Sequence, residues 1–158
     1  MKILCVRNDK LGDFVLTLPL YQVLKRHLPD IHITVLVAGY VAPLAQALPE
    51  IDNVIVDDGD NWSLLKKVRA QNFDISLTLF STTRVGWILF LSGIKKRIAP
   101  ATKIAQIFHN STKKQRRSLV KMCEFEYNLD LLSLLDEKID THFTRPVIEV
   151  KKSSAVEH

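Results

Sequence analysis

The sequence predicts an α/β protein, a Rossmann-like three-layer α/β/α domain around a mainly parallel sheet of about five strands. Three observations carry this. Short β-rich runs alternate with longer segments of helical periodicity, the pattern of βαβ units on a parallel sheet. The first apolar run, Ile3-Leu4-Cys5-Val6, passes through a polar loop straight into an amphipathic helix. At 158 residues with 47% apolar side chains, the chain is one domain in length and can bury a substantial core, which excludes a disordered protein.

Strands are expected over 2–6, 31–37, 53–56, 74–79 and 96–98, with helices over 13–28, 40–48, 62–71 and 82–93 between them. In the first helix Leu16, Leu20, Val23, Leu24 and Leu28 recur at helical spacing and should cover the sheet, with Lys25 and Arg26 facing water. Pro19 interrupts that pattern. It lacks an N–H and frees the carbonyl of Val15, so the helix either kinks or begins nearer Thr17. Pro29 and Pro49 close the helices that precede them, and Asp60 or Asn61 is positioned to cap the helix opening at Trp62. The stretch Val85–Leu91 is apolar nearly all round and reads as a buried helix; the alternative is an interfacial anchor using Trp87 and Phe90 beside Arg84 and Lys95-Lys96-Arg97. Beyond Pro100 a basic segment precedes a long helix expected over 116–136, with Leu119, Met122, Cys123, Tyr127, Leu131 and Leu134 on one face. Residues 139–158 read as a linker or frayed tail.

Composition narrows the function classes. A net charge of +5 favours an anionic partner, whether lipid phosphate, sugar phosphate or nucleic acid. Cys5 and Cys123 are far apart, and two inert thiols are expected rather than a redox pair. The five histidines form no ligand spacing, so no metal site is expected. The amino-terminal apolar run is too short for a signal peptide, and no run reaches the roughly 18 residues of a spanning helix, so the expected location is the cytoplasm.

The chemistry concentrates in the loop Arg7-Asn8-Asp9-Lys10-Leu11-Gly12-Asp13. It has a single glycine and so matches neither the dinucleotide nor the nucleoside-triphosphate phosphate loop. It does bring two cations, Arg7 and Lys10, beside two carboxylates, Asp9 and Asp13, at the carboxyl end of a strand, where ligands of parallel sheets bind. Gly12 would let the chain turn tightly, leaving Asp13 at the helix entrance. Asp13 then has two readings, a helix N-cap or a functional carboxylate, and they compete for the same oxygens. Two basic clusters, Lys95-Lys96-Arg97 and Lys113-Lys114-Gln115-Arg116-Arg117, are expected towards the carboxyl edge or the flank of the sheet. Only Phe108 accompanies the second cluster, which argues against nucleic acid.

The run from Lys2 to Leu20, with Gly12-Asp13 and Thr17-Leu18-Pro19, resembles the amino-terminal signature of the lipopolysaccharide heptosyltransferases, glycosyltransferase family 9 of Gram-negative bacteria. The resemblance continues in order through Leu24–Asp30, Ile33–Val37, Leu48–Ile55, Phe73–Leu77 and Gly93–Ile98. It implies the first half of a two-domain GT-B enzyme, in which this domain binds the acceptor and supplies the base while a second domain holds the nucleotide sugar. Asp13 matches the family's catalytic aspartate. Arg7, Lys10 and Gly12 fall in the loop facing acceptor or phosphate, although Lys10 stands where the family has a small hydroxylic or polar residue. Lys113, Lys114, Arg116 and Arg117 are implied to hold the anionic lipopolysaccharide core.

The resemblance therefore leads to an acceptor-side domain at 1–138, with the carboxy-terminal donor domain absent. The implied reaction is inverting transfer of heptose from ADP-heptose to the inner core, with no other cofactor, and the isolated chain is expected to transfer sugar feebly or not at all. Peripheral contact with the inner face of the inner membrane is a further expectation, and nucleic acid is not an expected partner. The alternative is a non-catalytic Rossmann or flavodoxin-like module that binds an anionic ligand or nucleotide at the 7–13 loop.

Overall fold

The strand-like runs pair in parallel. The computed structural model describes residues 1–102, 107–116, 119 and 122–144. In it β1 (Lys2–Val6), β2 (His32–Ala38), β3 (Asn53–Asp57), β4 (Ile75–Thr78), β5 (Lys96–Pro100) and β6 (Ser111–Lys113) form one sheet in the order β3-β2-β1-β4-β5-β6. Every neighbouring pair is parallel. The five expected strands are present to within two residues of their expected limits. The sixth, β6, exceeds the expectation: Ser111-Thr112-Lys113 has no apolar residue to announce a strand and stays only partly buried.

β1 lies between β2 and β4, so the sheet grows outwards in both directions from the first strand. The order reverses there, and such a reversal opens a crevice above the carboxyl ends of the two central strands. Alternation along β1 divides the core. Ile3 and Cys5 face a layer built from α1 (Leu11–Val15), α2 (Leu18–His27), α3 (Ala42–Ala47) and α6 (Glu124–Asp130). Leu4 and Val6 face α4 (Asn61–Ala70) and α5 (Thr83–Leu91).

The expected helix over 13–28 is two helices. α1 stops at Val15, and α2 starts at Leu18 with Pro19 in its first turn, where the missing N–H costs nothing. The break is stitched by side chains. Thr17 Oγ1 donates to the Phe14 carbonyl at 2.6 Å, and the fully buried Asn128 amide on α6 donates to the Leu16 carbonyl at 3.2 Å. Leu16, expected against the sheet, is 37% exposed at the break. Farther on, a 3-10 turn at Gly39–Val41 leads into α3, and Asp60 caps α4 by accepting from the Trp62 and Ser63 amides.

α5 corrects a second expectation. It buries Val85, Ile88 and Leu89 but leaves Phe90 and Leu91 exposed, so this apolar helix is only partly covered rather than buried on all sides. The long helix over 116–136 is also shorter than expected. α6 spans only Glu124–Asp130, capped where Glu126 Oε2 accepts from the Cys123 amide at 2.6 Å, and it tightens into a 3-10 turn at Leu131–Leu134. Leu119 is exposed instead of packed. Both cysteines are free: Cys5 is buried, which pushes its thiol well up, and Cys123 is exposed. Residues 139–144 return across α2: Ile139 is buried, Phe143 meets Phe125 edge-on at 5.6 Å, and Arg26 donates to the Asp140 and His142 carbonyls. The rest of the expected tail, 145–158, lies outside the described residues.

Candidate functional site

The loop that follows β1 emerges at the reversal point, beside the ends of β2 and β4. Its organising residue is Arg7. The side chain is only 5% exposed, and its guanidinium meets three carboxylates: Asp9 at 2.9 Å, Asp13 at 3.3 Å and Glu124 at 3.5 Å. It also donates to the Leu79 carbonyl at 3.1 Å and lies 5.8 Å from the centre of the Phe80 ring, both in the chain leaving β4. A buried guanidinium must be paired, and its planar fork suits several oxygens at once. Arg7 therefore does not reach solvent to hold a phosphate directly; it holds the loop.

Asp9 and Asp13 differ in setting. Asp9 is 13% exposed, and burial pushes its carboxyl above the usual range; Arg7 opposes that shift and the neighbouring Asp13 carboxylate reinforces it. The contact of Asp9 Oδ1 with Arg7 Nε is an ion pair too bent to be a hydrogen bond, and both atoms lack a hydrogen-bond partner. Asp13 is 35% exposed and meets Arg7 at 3.3 Å. It does not cap the helix. The cap position of α1 belongs to Lys10, whose side chain is exposed, and Asp13 is the third residue of α1. Gly12 lies inside the same helix rather than at a tight turn, and a Cβ there would meet nothing within 4 Å. Its contribution is open space beside Asp13.

Other residues frame the crevice. Asn8 donates to Asp57 Oδ2 at 2.8 Å, and Arg84 grips both Asp57 oxygens at 2.7 and 2.9 Å. Arg84, assisted by the Gly59 amide and Asn8 against the opposing effect of burial, holds the Asp57 carboxyl at about 2. Tyr40 donates to the Asp9 carbonyl at 2.9 Å. The buried Asn8 Oδ1 and Ser81 Oγ have no hydrogen-bond partner among the described residues, and both belong to loops at this edge. Glu124 is the member that sequence reasoning missed. It is 117 positions from Arg7, and no local signal joins them.

The basic clusters separate. Lys113 and Lys114 follow the carboxyl end of β6, on the same edge as Asp13 but three strands away, about 14 Å at ordinary strand spacing. Lys113 is engaged by Asp130 at 2.6 Å and Ser133 at 2.9 Å. Lys114 and Arg116 are exposed, and Arg117 lies outside the described residues. Lys95-Lys96-Arg97 sits at the amino end of β5, away from the edge where it was expected, because the strand starts rather than ends there. Arg97 donates to the Ile94 and Phe108 carbonyls and so has a structural role.

No family model matches the chain. A Haemophilus influenzae protein, named as a glycosyltransferase without a stated substrate, is 42% identical over 168 aligned positions, covering 99% of this chain and 47% of that protein. Among solved structures, a glycosyl transferase family 9 protein from Veillonella parvula superposes with a TM-score of 0.76 at 22% identity, over 89% of this chain and 42% of that one. An Escherichia coli heptosyltransferase, solved with ADP and with ADP-2-deoxy-2-fluoro heptose, superposes with TM-scores of 0.74 and 0.73 at 14% identity. Those two alignments cover 86% and 84% of this chain and 48% and 47% of the other. The chain spans about half the length of the relatives it matches. It is a homologue of part of a glycosyltransferase, and its fold is that of one half of the family 9 heptosyltransferase structures.

Proposed function

We propose that the chain is the acceptor-side domain of a glycosyltransferase that transfers heptose from ADP-heptose to the lipopolysaccharide inner core with inversion; residues 139–144, expected in a linker or frayed tail, pack on this domain. Inverting transfer needs a carboxylate within about 2.6–3.2 Å of the acceptor hydroxyl, to take its proton as the anomeric carbon is attacked. Asp13 fills that role. The observation that carries the reading is its setting: a partly exposed carboxylate beside the strand-order reversal, held by a buried arginine and next to Gly12, where nothing lies within 4 Å of an added Cβ.

Arg7 acts behind Asp13 as a positioning residue. Lys10, Lys114 and Arg116, exposed among the described residues, and Arg117, outside them, would meet anionic groups of the acceptor, with Lys113 reaching them only if Asp130 releases it. The donor reading rests on the Escherichia coli heptosyltransferase solved with ADP and a fluorinated ADP-heptose. The protein works at the cytoplasmic face of the inner membrane, where no helix among its described residues is long and apolar enough to span.

The test is transfer from ADP-heptose to a deep-truncated lipopolysaccharide, with this chain alone and with a donor-binding domain supplied in trans. Turnover only in the second reaction is the expected result. No turnover in either, with nucleotide bound by the chain alone, overturns the reading in favour of a binding module.

A further inference from the structure

We propose that the outer face of α4 and α5 docks on an anionic lipid bilayer; this rests on the membrane-side reading above and assigns it a surface. The first observation is a charge imbalance. Residues 61–97 contain seven lysines and arginines and one carboxylate, Asp74; of the seven, Arg84 pairs with Asp57 and Lys67 with Asp58, both at the end of β3 and the loop ahead of α4. Asp74, whose Oδ2 accepts from the Lys2 amide, lines with Lys95 a cavity at the amino end of β4 and β5. Lys66, Arg69 and Lys95 have no carboxylate within ion-pair distance among the described residues.

The second observation is apolar exposure on the same elements. Trp62 is 67% exposed and shares a helical stripe with Lys66 and Arg69. Its ring meets Trp87 edge-on at 6.2 Å, joining α4 to α5. One turn beyond Trp87 stand Phe90 and Leu91, 50% and 39% exposed, with Lys95 following, and Ile107 is 75% exposed next to Phe108, which packs on Phe90. Aromatic and aliphatic side chains flanked by unpaired cations on a helix pair are what a headgroup layer accepts: the rings sink to the acyl boundary and the lysines meet phosphate.

Two other partners fit less well. A nucleic acid stacks bases on open ring faces, yet Phe90 already lies under the Arg97 guanidinium at 5.3 Å and edge-on to Phe108. Protein interfaces are depleted of lysine, whereas here lysines surround the rings.

The experiment is co-sedimentation of the chain with phosphatidylcholine vesicles and with vesicles containing phosphatidylglycerol, with tryptophan emission recorded in parallel. Binding to the anionic vesicles alone is expected, with a blue shift and release by salt within the screening range of a Debye length, about 8 Å at physiological ionic strength. Lys66→Glu/Arg69→Glu and Trp62→Ser/Phe90→Ser should each lower partitioning by at least about tenfold. The charge pair, fully on exposed positions, should retain the wild-type circular dichroism melt. The ring pair, which gives up the Trp87, Phe108 and Arg97 contacts, is compared at a temperature where its circular dichroism spectrum matches the folded wild type. Equal binding to both vesicle types, no binding, or unchanged partitioning of both variants overturns the proposal. Salt-sensitive retention on an oligonucleotide without vesicle binding would assign the face to nucleic acid instead. Sugar transfer to a soluble acceptor with the donor domain present, but no vesicle binding, sinks this inference alone; vesicle binding without transfer sinks only the catalytic reading.

Discussion

The loops that follow β1 and β3 both hold an arginine against carboxylates, and they use it differently. After β3, Arg84 meets Asp57 one to one, with both oxygens engaged and the acid held at about 2. After β1, a single buried Arg7 is divided among Asp9, Asp13 and Glu124, none of them gripped bidentately. A saturated carboxylate has nothing left to offer a substrate. Asp13, met by Arg7 in a single contact at 3.3 Å and 35% exposed, is still accessible to a substrate hydroxyl. The contrast separates a structural ion pair from candidate chemistry without reference to any relative.

The sharpest way to break the comparison is kinetic. In a two-domain context Asp13→Asn should lower kcat by about 100- to 10,000-fold with the fold intact, and Asp57→Asn should leave kcat unchanged. Steady-state turnover paired with a thermal melt reads both. If Asp13→Asn unfolds the protein and residual activity follows the folded fraction, the two aspartates are alike and Asp13 is structural.

A smaller effect lies in stability. Arg7→Met should cost about 3 kcal/mol in urea denaturation, because it strands the buried Asp9 carboxylate. Adding Asp9→Asn should recover much of that loss. A cost well below 1 kcal/mol would mean that solvent already neutralises the cluster.

The smallest effect sharpens the other loop. Arg84→Met should cost about 1 kcal/mol near neutral pH, since Arg84 is partly exposed and water screens the pair. Asp57 sits at about 2, below its ordinary value of 3.8, so the pair's contribution is complete above about pH 4 and disappears as pH falls towards 2. Wild type and variant should therefore converge in stability over that window. A difference that persists at pH 2 would assign the contribution of Arg84 to packing of its stem.

The sequence by itself determined the alternation of strands and helices, the start of the sheet at Lys2–Val6, and a polar loop carrying Arg7, Lys10, Gly12 and Asp13 at that strand's carboxyl end. These are local matters, set by periodicity of two or 3.6 residues and by proline at position 19. Local pattern failed where the signal was weak or shared. The three polar residues of β6 have no apolar alternation, and the apolar spacing over 116–136 fits a short helix with a 3-10 turn as well as a long helix. Only the tertiary structure decided which charges meet. It buried Arg7 and brought Glu124 to it across 117 positions, spent Lys113 on Asp130, and turned Lys95 and Lys96 to the amino edge. The reason is physical: an ion pair needs two side chains within about 4 Å, and that separation is set by strand order and helix packing, which no window of neighbouring residues encodes.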